Sequence, residues 1–188
     1  LRQGKGSQMT TSPCFRPLTQ IASEIQNKTL SAQEVVAEVL EQIAQHNPAL
    51  NAIVTLDKEG ALKRAREADQ ALADGQVWGP LHGIPLTVKD NFEVANMRST
   101  ASSKQFQDHV PQTDAVAVAR LRQAGAIILG KTNLPEMAMD AQTRSPIFGV
   151  TNNPWDLERT PGGSTGGGAA AVAAGMSYTE LGNDILGS

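Results

Sequence analysis

Residues 160–168, Thr-Pro-Gly-Gly-Ser-Thr-Gly-Gly-Gly, set a serine among glycines directly ahead of an alanine-rich stretch at 169–175 that reads as a short helix. A glycine-rich turn entering a helix exposes backbone N–H groups and lets a second chain come close. That arrangement suits a reaction in which negative charge develops on an oxygen. A flexible connector has a similar composition, but a connector has no reason to sit between the ordered-looking loop Asn153-Pro154-Trp155 and a helix. A serine hydroxyl becomes a nucleophile only when a base takes its proton. The pattern Gly162-x-Ser164-x-Gly166 matches the strand–turn–helix elbow whose acid and histidine follow the serine. Here residues 152–156 read as loop, and His46, His82 and His109 all precede Ser164. Each of the three reads as a surface or loop histidine. The single cysteine, Cys14, reads as an incidental thiol near the N-terminus.

A second pattern, Gly125-Ala126-Ile127-Ile128-Leu129-Gly130-Lys131-Thr132, matches the phosphate-loop signature letter for letter. A phosphate cradle needs a strand, then a loop with free N–H groups, then a helix. In this chain a helix precedes the first glycine and the four intervening residues are themselves a strand. Their N–H groups are therefore expected to be committed to a sheet, and nucleotide binding is not the expected function.

The elements that must hold Ser164 follow from periodicity and caps. Ser31-Ala32-Gln33-Glu34 is a capping box. It opens a helix with an apolar stripe of Val35, Val36, Val39, Leu40 and Ile43, expected to end at Asn47-Pro48. Residues 52–56 read as a short strand and 61–73 as a helix, with Gly75 at its C-terminal cap. After the turn-rich 79–83, residues 84–88 read as a buried strand ending at Lys89-Asp90. Thr113-Asp114 is expected to cap a helix running to Ala124, and 126–129 reads as a second buried strand. Alternation of strands and helices predicts a layered α/β fold, without internal repeats.

Composition narrows the function class. The 188 residues carry 16 basic and 19 acidic side chains, well mixed, for a formal charge of −3, so no basic patch argues for nucleic acid. No apolar run is long enough for a membrane span. One cysteine cannot form an internal disulfide, which points to a reducing, cytoplasmic setting. No Cys/His spacing suggests a metal site. The polar residues 1–8 precede Met9, the expected natural start. Residues 1–16 are read as a leading segment in which disorder is expected, and 17–188 as the N-terminal part of a single domain.

Taken together, several segments resemble the amidase signature family in the family's order. These are residues 79–91 around Lys89, Gly130-Lys131-Thr132-Asn133, Asn153-Pro154-Trp155, residues 161–167 around Ser164, and residues 182–188 ending at Ser188. The resemblance runs from about Pro17 onward. It implies the N-terminal part of a three-layer α/β/α sandwich with a mixed central sheet, acting without cofactor or metal on a small-molecule amide. A homodimer is expected at full length. It further implies a Ser-Ser-Lys triad with Lys89 as base, Ser164 as bridging serine and Ser188 as nucleophile. The oxyanion hole would be the backbone N–H groups of Ile185, Leu186, Gly187 and Ser188, each donor worth about 3 kcal/mol of barrier. Gly162 and Gly163 would shape the substrate side of the pocket, and Asp184 would hold its own loop by backbone hydrogen bonds. Lys89 must be neutral to act, so its pKa must fall from about 10.4 through burial and neighbouring dipoles. Without the motif, an ion pair to Asp90 is the default for Lys89. Adjacent strand residues point to opposite faces, however, which argues against that pairing.

The chain departs from the family pattern at three positions. Thr165 stands where a second serine is common, Asn183 where serine or threonine is usual, and Leu186 where glycine is typical. If the last position needs a positive φ, a leucine there costs on the order of 1–2 kcal/mol. Family members are more than twice as long, so residues 1–188 alone are expected to be inactive and poorly stable. Two other readings belong to the same set of motifs: the A subunit of the glutamyl-tRNA amidotransferase, and a catalytically inactive fragment or pseudoenzyme. Residues 136–143, Glu-Met-Ala-Met-Asp-Ala-Gln-Thr, look more like a general amidase than that amidotransferase component, in which glycine is usual near Asp140.

Overall fold

The computed structural model describes residues 12–185, 187 and 188. The Leu186 position and the expected start at Met9 lie outside the described residues. Among the described residues, five α-helices and six strands follow one another as α1 (Leu18–Gln26), α2 (Ala32–Leu50), β1 (Ile53–Leu56), α3 (Lys58–Ala73), β2 (Pro85–Lys89), α4 (Val116–Gln123), β3 (Ile127–Thr132), β4 (Arg144–Ser145), β5 (Gly149–Val150), α5 (Gly166–Ala173) and β6 (Glu180–Leu181). Strands β1-β3-β2-β6 form one sheet. Strand β1 is antiparallel to β3, while β2 is parallel to both β3 and β6, so the sheet is mixed, as expected.

Apolar side chains cover both faces of this sheet. On one face Ile127 and Leu129 pack with Val36, Val39, Ala65, Ala68 and Ala170 from α2, α3 and α5. On the other, Leu86, Val88 and Ile128 pack with Val118 of α4. Helix α2 starts as its capping box predicts: the Glu34 N–H donates to Ser31 Oγ, and the Ser31 N–H donates to the Glu34 carboxylate. Asp69 of α3 adds a carboxylate at the same helix end, accepting from the Ala32 and Gln33 N–H groups. This placement favours an anion at the positive end of the helix dipole.

Three local expectations need correction. Helix α2 does not end at Asn47-Pro48 but continues to Leu50, with Pro48 inside it. A proline this near the end removes only one helical N–H bond. The exit is secured by Asn47, whose Oδ1 accepts from the Ala52 and Ile53 N–H groups and whose Nδ2 donates to Ile53 O. Asp114 does not cap α4: Ala115 is at the cap position, and Asp114 instead accepts from the Ala95 N–H and pairs with Arg122. His82 is in a loop, as expected, and is fully buried there. It accepts from the Trp78 N–H at Nδ1 and donates from Nε2 to Ala68 O, which is the neutral tautomer, and burial pushes its pKa down. Residues 12–16 of the expected leading segment are folded. Pro13–Phe15 form a short 3-10 helix, Cys14 is buried against the α2 face of the core, and Arg16 pairs with Glu24.

The phosphate-loop pattern is a strand, as its physics required. Residues 127–132 pair with β1 on one side and β2 on the other. Their N–H groups serve the sheet. A bulge interrupts β3: Leu86 opposes Ile128, but Thr87 opposes Gly130. Leu129 is therefore the extra residue, and every position beyond it changes face. Gly130 is required there because a Cβ would lie 2.1 Å from the carbonyl oxygen of Thr55 in β1. Gly130→Ala is expected to push β1 off β3 and cost about 1–3 kcal/mol, to be checked by urea denaturation. A stability equal to wild type would mean that β1 yields freely.

Candidate active site

Lys89 is the last residue of β2 and is fully buried. Its Nζ lies 2.7 Å from Ser164 Oγ, 2.9 Å from Thr165 Oγ1 and 3.1 Å from Asn183 O. Burial lowers its pKa, with the Glu180 and Asp184 carboxylates acting in the opposite direction. The strand alternation expected to separate Lys89 from Asp90 holds. Asp90 turns to the other face, where Oδ1 accepts from Lys131 Nζ and Oδ2 accepts from the Thr100 N–H and hydroxyl.

Ser164 precedes α5 and is buried, with a cis peptide joining it to Gly163. The glycine run behind it is a packing device rather than a flexible connector. At Gly167, a Cβ would come within 2.4 Å of Asn133 O and 2.5 Å of Asn133 N. Helix α5 thus lies directly on the chain leaving β3, and this close approach fixes Ser164 at the end of β2. The reach of Lys89 then decides the contact.

Ser164, Gly163, Asn183, Ile185, Gly187 and Ser188 line one side of a pocket of about 470 Å³, and Ala138, Met139, Asp140 and Ala141 line the other. Gly163 abuts the wall itself, since a Cβ there would lie 2.8 Å from the backbone of Ala141. Gly162 has a positive φ of 89° with open space beside its Cα. Both serines therefore share one pocket, with Lys89 behind Ser164. The Ser188 hydroxyl points to Asn183 O at 3.3 Å, and Thr165 Oγ1 lies 3.1 Å from Ser188 O. Among the hydrogen bonds of the described residues, none joins Ser188 to Ser164. The Ser188 N–H donates to Asp184 Oδ1 at 2.5 Å, which ties the loop to itself as expected of Asp184. A substrate oxygen would compete with that carboxylate for the Ser188 N–H. Ile185 is largely exposed, and Gly187 has a φ of 86°.

Sequence reasoning missed two participants. Thr165 stands out in the sequence only as a departure from pattern, yet its hydroxyl touches both the Lys89 amine and the Ser188 carbonyl. Glu180 belongs to no motif. Its carboxyl is enclosed beneath β2 and β3, in contact with the hydroxyls of Thr87 and Thr132, and burial pushes its pKa up to about 7. The local sequence offered no signal, since β6 is only Glu180 and Leu181 and the enclosure comes from β2 and β3. Among the described residues, no group of three or more His, Cys, Asp or Glu side chains could hold a metal ion. Among the same residues, no helix is long and apolar enough to cross a membrane.

Comparison with known proteins accounts for this geometry. The chain is 46% identical over 169 residues to the A subunit of the glutamyl-tRNA(Gln) amidotransferase from Carboxydothermus hydrogenoformans, covering 90% of this chain and 35% of that one. It is 45% identical to the protein of the same name from Acidothermus cellulolyticus, covering 92% and 34%. Among solved structures, the peptide amidase of Stenotrophomonas maltophilia superposes with a TM-score of 0.82 at 37% identity, over 87% of this chain and 35% of that one. A fatty acid amide hydrolase superposes with a TM-score of 0.88 at 27% identity, over 94% and 32%. The chain thus spans about a third of the length of the relatives it matches. The family model for amidases matches residues 34–188. Together with the mixed sheet and its match to solved amidases, this shows that the chain belongs to the amidase signature family.

Proposed function

We propose that the chain supplies the reacting groups of an enzyme that hydrolyses a carboxylic amide through an acyl-enzyme, with Lys89, Ser164 and Ser188 as a relay. The observation that carries this reading is the 2.7 Å contact between Lys89 Nζ and Ser164 Oγ, made out of solvent. A neutral lysine has two protons and one lone pair. Donating to Asn183 O and Thr165 Oγ1 leaves the lone pair facing Ser164. Ser164 then gives its proton to Lys89 and accepts that of Ser188, whose Oγ attacks the carbonyl carbon. The tetrahedral oxyanion is met by N–H groups of residues 185–188, a role that rests on the family resemblance. Collapse of the intermediate breaks the C–N bond, and the relay returns the proton to the leaving amine. Water repeats the cycle on the ester. For this step the Ser188 hydroxyl must leave Asn183 O and turn to Ser164.

A second reading is favoured by the first two relatives, both named as subunits of an enzyme whose substrate name includes a tRNA. The expectation of a small-molecule substrate and no nucleic acid therefore stands beside a reading as an amidotransferase component that works with partner chains. Cytoplasmic placement is part of both readings.

One assay separates them. The chain alone, and the chain completed to the length of its relatives, are offered simple aliphatic amides and glutamine, with ammonia release as the readout. The amidase reading expects release from simple amides by the completed protein and none by residues 1–188 alone. Glutamine cleavage that needs added partner subunits would instead establish the amidotransferase reading. Robust hydrolysis by the 188-residue chain would overturn the expectation that it is inactive alone.

A further inference from the structure

Glu180 is an enclosed ionisable group that acts on Lys89 and that the proposed reaction leaves unused. It pairs in register with Thr87 across β2 and β6. Strand alternation sets Thr87 and Lys89 on one face of β2, and Thr132 opposes Lys89. The Glu180 carboxyl therefore lies in the same enclosure as the Lys89 stem. Counting protons there is informative, because each hydroxyl carries only one. The Ser177 hydroxyl donates to Thr179 O at 2.7 Å, since a carbonyl can only accept. Its remaining contact, 3.0 Å from Thr87 Oγ1, must then be filled by the Thr87 proton. Thr87 has nothing left to donate to Glu180 Oε2, with which it is in close contact, so that contact needs a proton on the carboxyl. The other oxygen, Oε1, accepts from the Thr132 hydroxyl. One oxygen donating and one accepting is the pattern of a carboxylic acid.

We infer that Glu180 is held as a neutral acid in the folded chain and sets the protonation state of Lys89, acting as a positioning residue for the relay; this rests on the reading of Lys89 as the base. Around it, β2 contributes Lys89, β3 contributes Lys131 on the opposite face, and the loop after β6 contributes Asp184, which acts on Lys89. One proton is distributed over two sites: a neutral acid with a neutral amine, or a carboxylate with an ammonium. Ionised Glu180 holds Lys89 charged and unable to accept from Ser164. Protonated Glu180 removes that hold, and burial then favours the neutral amine. Burial, the largest influence on it, raises the Glu180 pKa to about 7.

The test uses the chain completed to the length of its relatives and reads no turnover, so its failure and failure of the relay are separate results. With carbon-13-labelled glutamate, the Glu180 carboxyl signal in wild type is expected to keep its protonated position through the usual carboxylate range and to titrate near 7. Glu180→Gln identifies that signal by its loss, and its neutral amide puts one donating and one accepting atom where the acid has them, with one further N–H. In this variant the Lys89 ε-carbon is expected to titrate about one pH unit lower than in wild type. Stability follows the same proton. A raised folded pKa contributes stability that is present below the unfolded value of 4.5 and is lost as pH rises through about 7, so the wild-type unfolding midpoint should fall relative to Glu180→Gln across that window. Should Glu180→Gln not fold, the wild-type Lys89 titration must show an inflection at the pH where Glu180 ionises. A Glu180 carboxyl that titrates at or below 4.5, or a Lys89 titration indifferent to Glu180, overturns the inference.

Discussion

Lys89→Ala is expected to lower amide hydrolysis by about 10⁴-fold in the chain completed to the length of its relatives, the upper range for loss of a general base. Among the hydrogen bonds of the described residues, no other base contacts Ser164. Ser164 Oγ touches Lys89 Nζ at 2.7 Å, His82 is spent on Trp78 and Ala68, and His109 faces Glu93 at the surface. Lys89→Met keeps most of the buried volume and should be as inactive as the alanine variant, which separates loss of the base from loss of packing. Arginine should not rescue, because its guanidinium stays charged. Ammonia release with single-turnover kinetics checks the point. Activity within tenfold of wild type in Lys89→Met would remove Lys89 from the mechanism. The pH profile adds an independent reading. The base must be neutral, so kcat/KM should rise with pH along a limb lying below the ordinary lysine value of 10.5, the direction in which burial moves Lys89.

Asp90→Ala is expected to destabilise the fold by about 3–5 kcal/mol, a large part of the roughly 5–15 kcal/mol that holds a domain together. Lys131 and Asp90 are both fully buried and 3.2 Å apart. The Lys131 ammonium also donates to Phe92 O and Ser99 Oγ, both at 2.7 Å. Removing Asp90 strands a buried charge with two neutral acceptors and frees the Thr100 N–H and hydroxyl. This network anchors the loop leaving β2 to β3, one residue past Lys89. Replacing both partners together, as Asp90→Leu with Lys131→Met, should recover most of the loss, because an apolar pair carries no charge-desolvation penalty. A double-mutant cycle by denaturant unfolding measures the coupling. A loss below about 1 kcal/mol in Asp90→Ala would show that water reaches Lys131.

Much of the fold was legible because its signals are local. The capping box at Ser31 and Glu34 needs only four residues, and it forms as written. Strand alternation by itself separates Lys89 from Asp90. The phosphate-loop pattern could be set aside because a helix before the first glycine and an apolar run after it leave no free N–H groups. Where sequence reading failed, a distant partner decided the outcome. Asp114 looks like a cap, but the Ala95 N–H and Arg122 claim its carboxylate. Pro48 looks like a helix stop, but Asn47 ties the next turn to β1.

By itself the sequence determined the order and type of the main elements, the mixed α/β class, and which lysine and serines to watch, because caps, periodicity and motif order are written in neighbouring residues. The tertiary structure alone decided what faces what at the ends of the strands. The bulge at Leu129 shifts the register of β3 by one residue, so Lys131 turns to Asp90 while Thr132 turns to Glu180. A one-residue shift exchanges the two faces of everything beyond it. The proton count around Glu180, and with it the charge state of Lys89, depends on Thr87 and Thr132, which only the fold brings to that carboxyl.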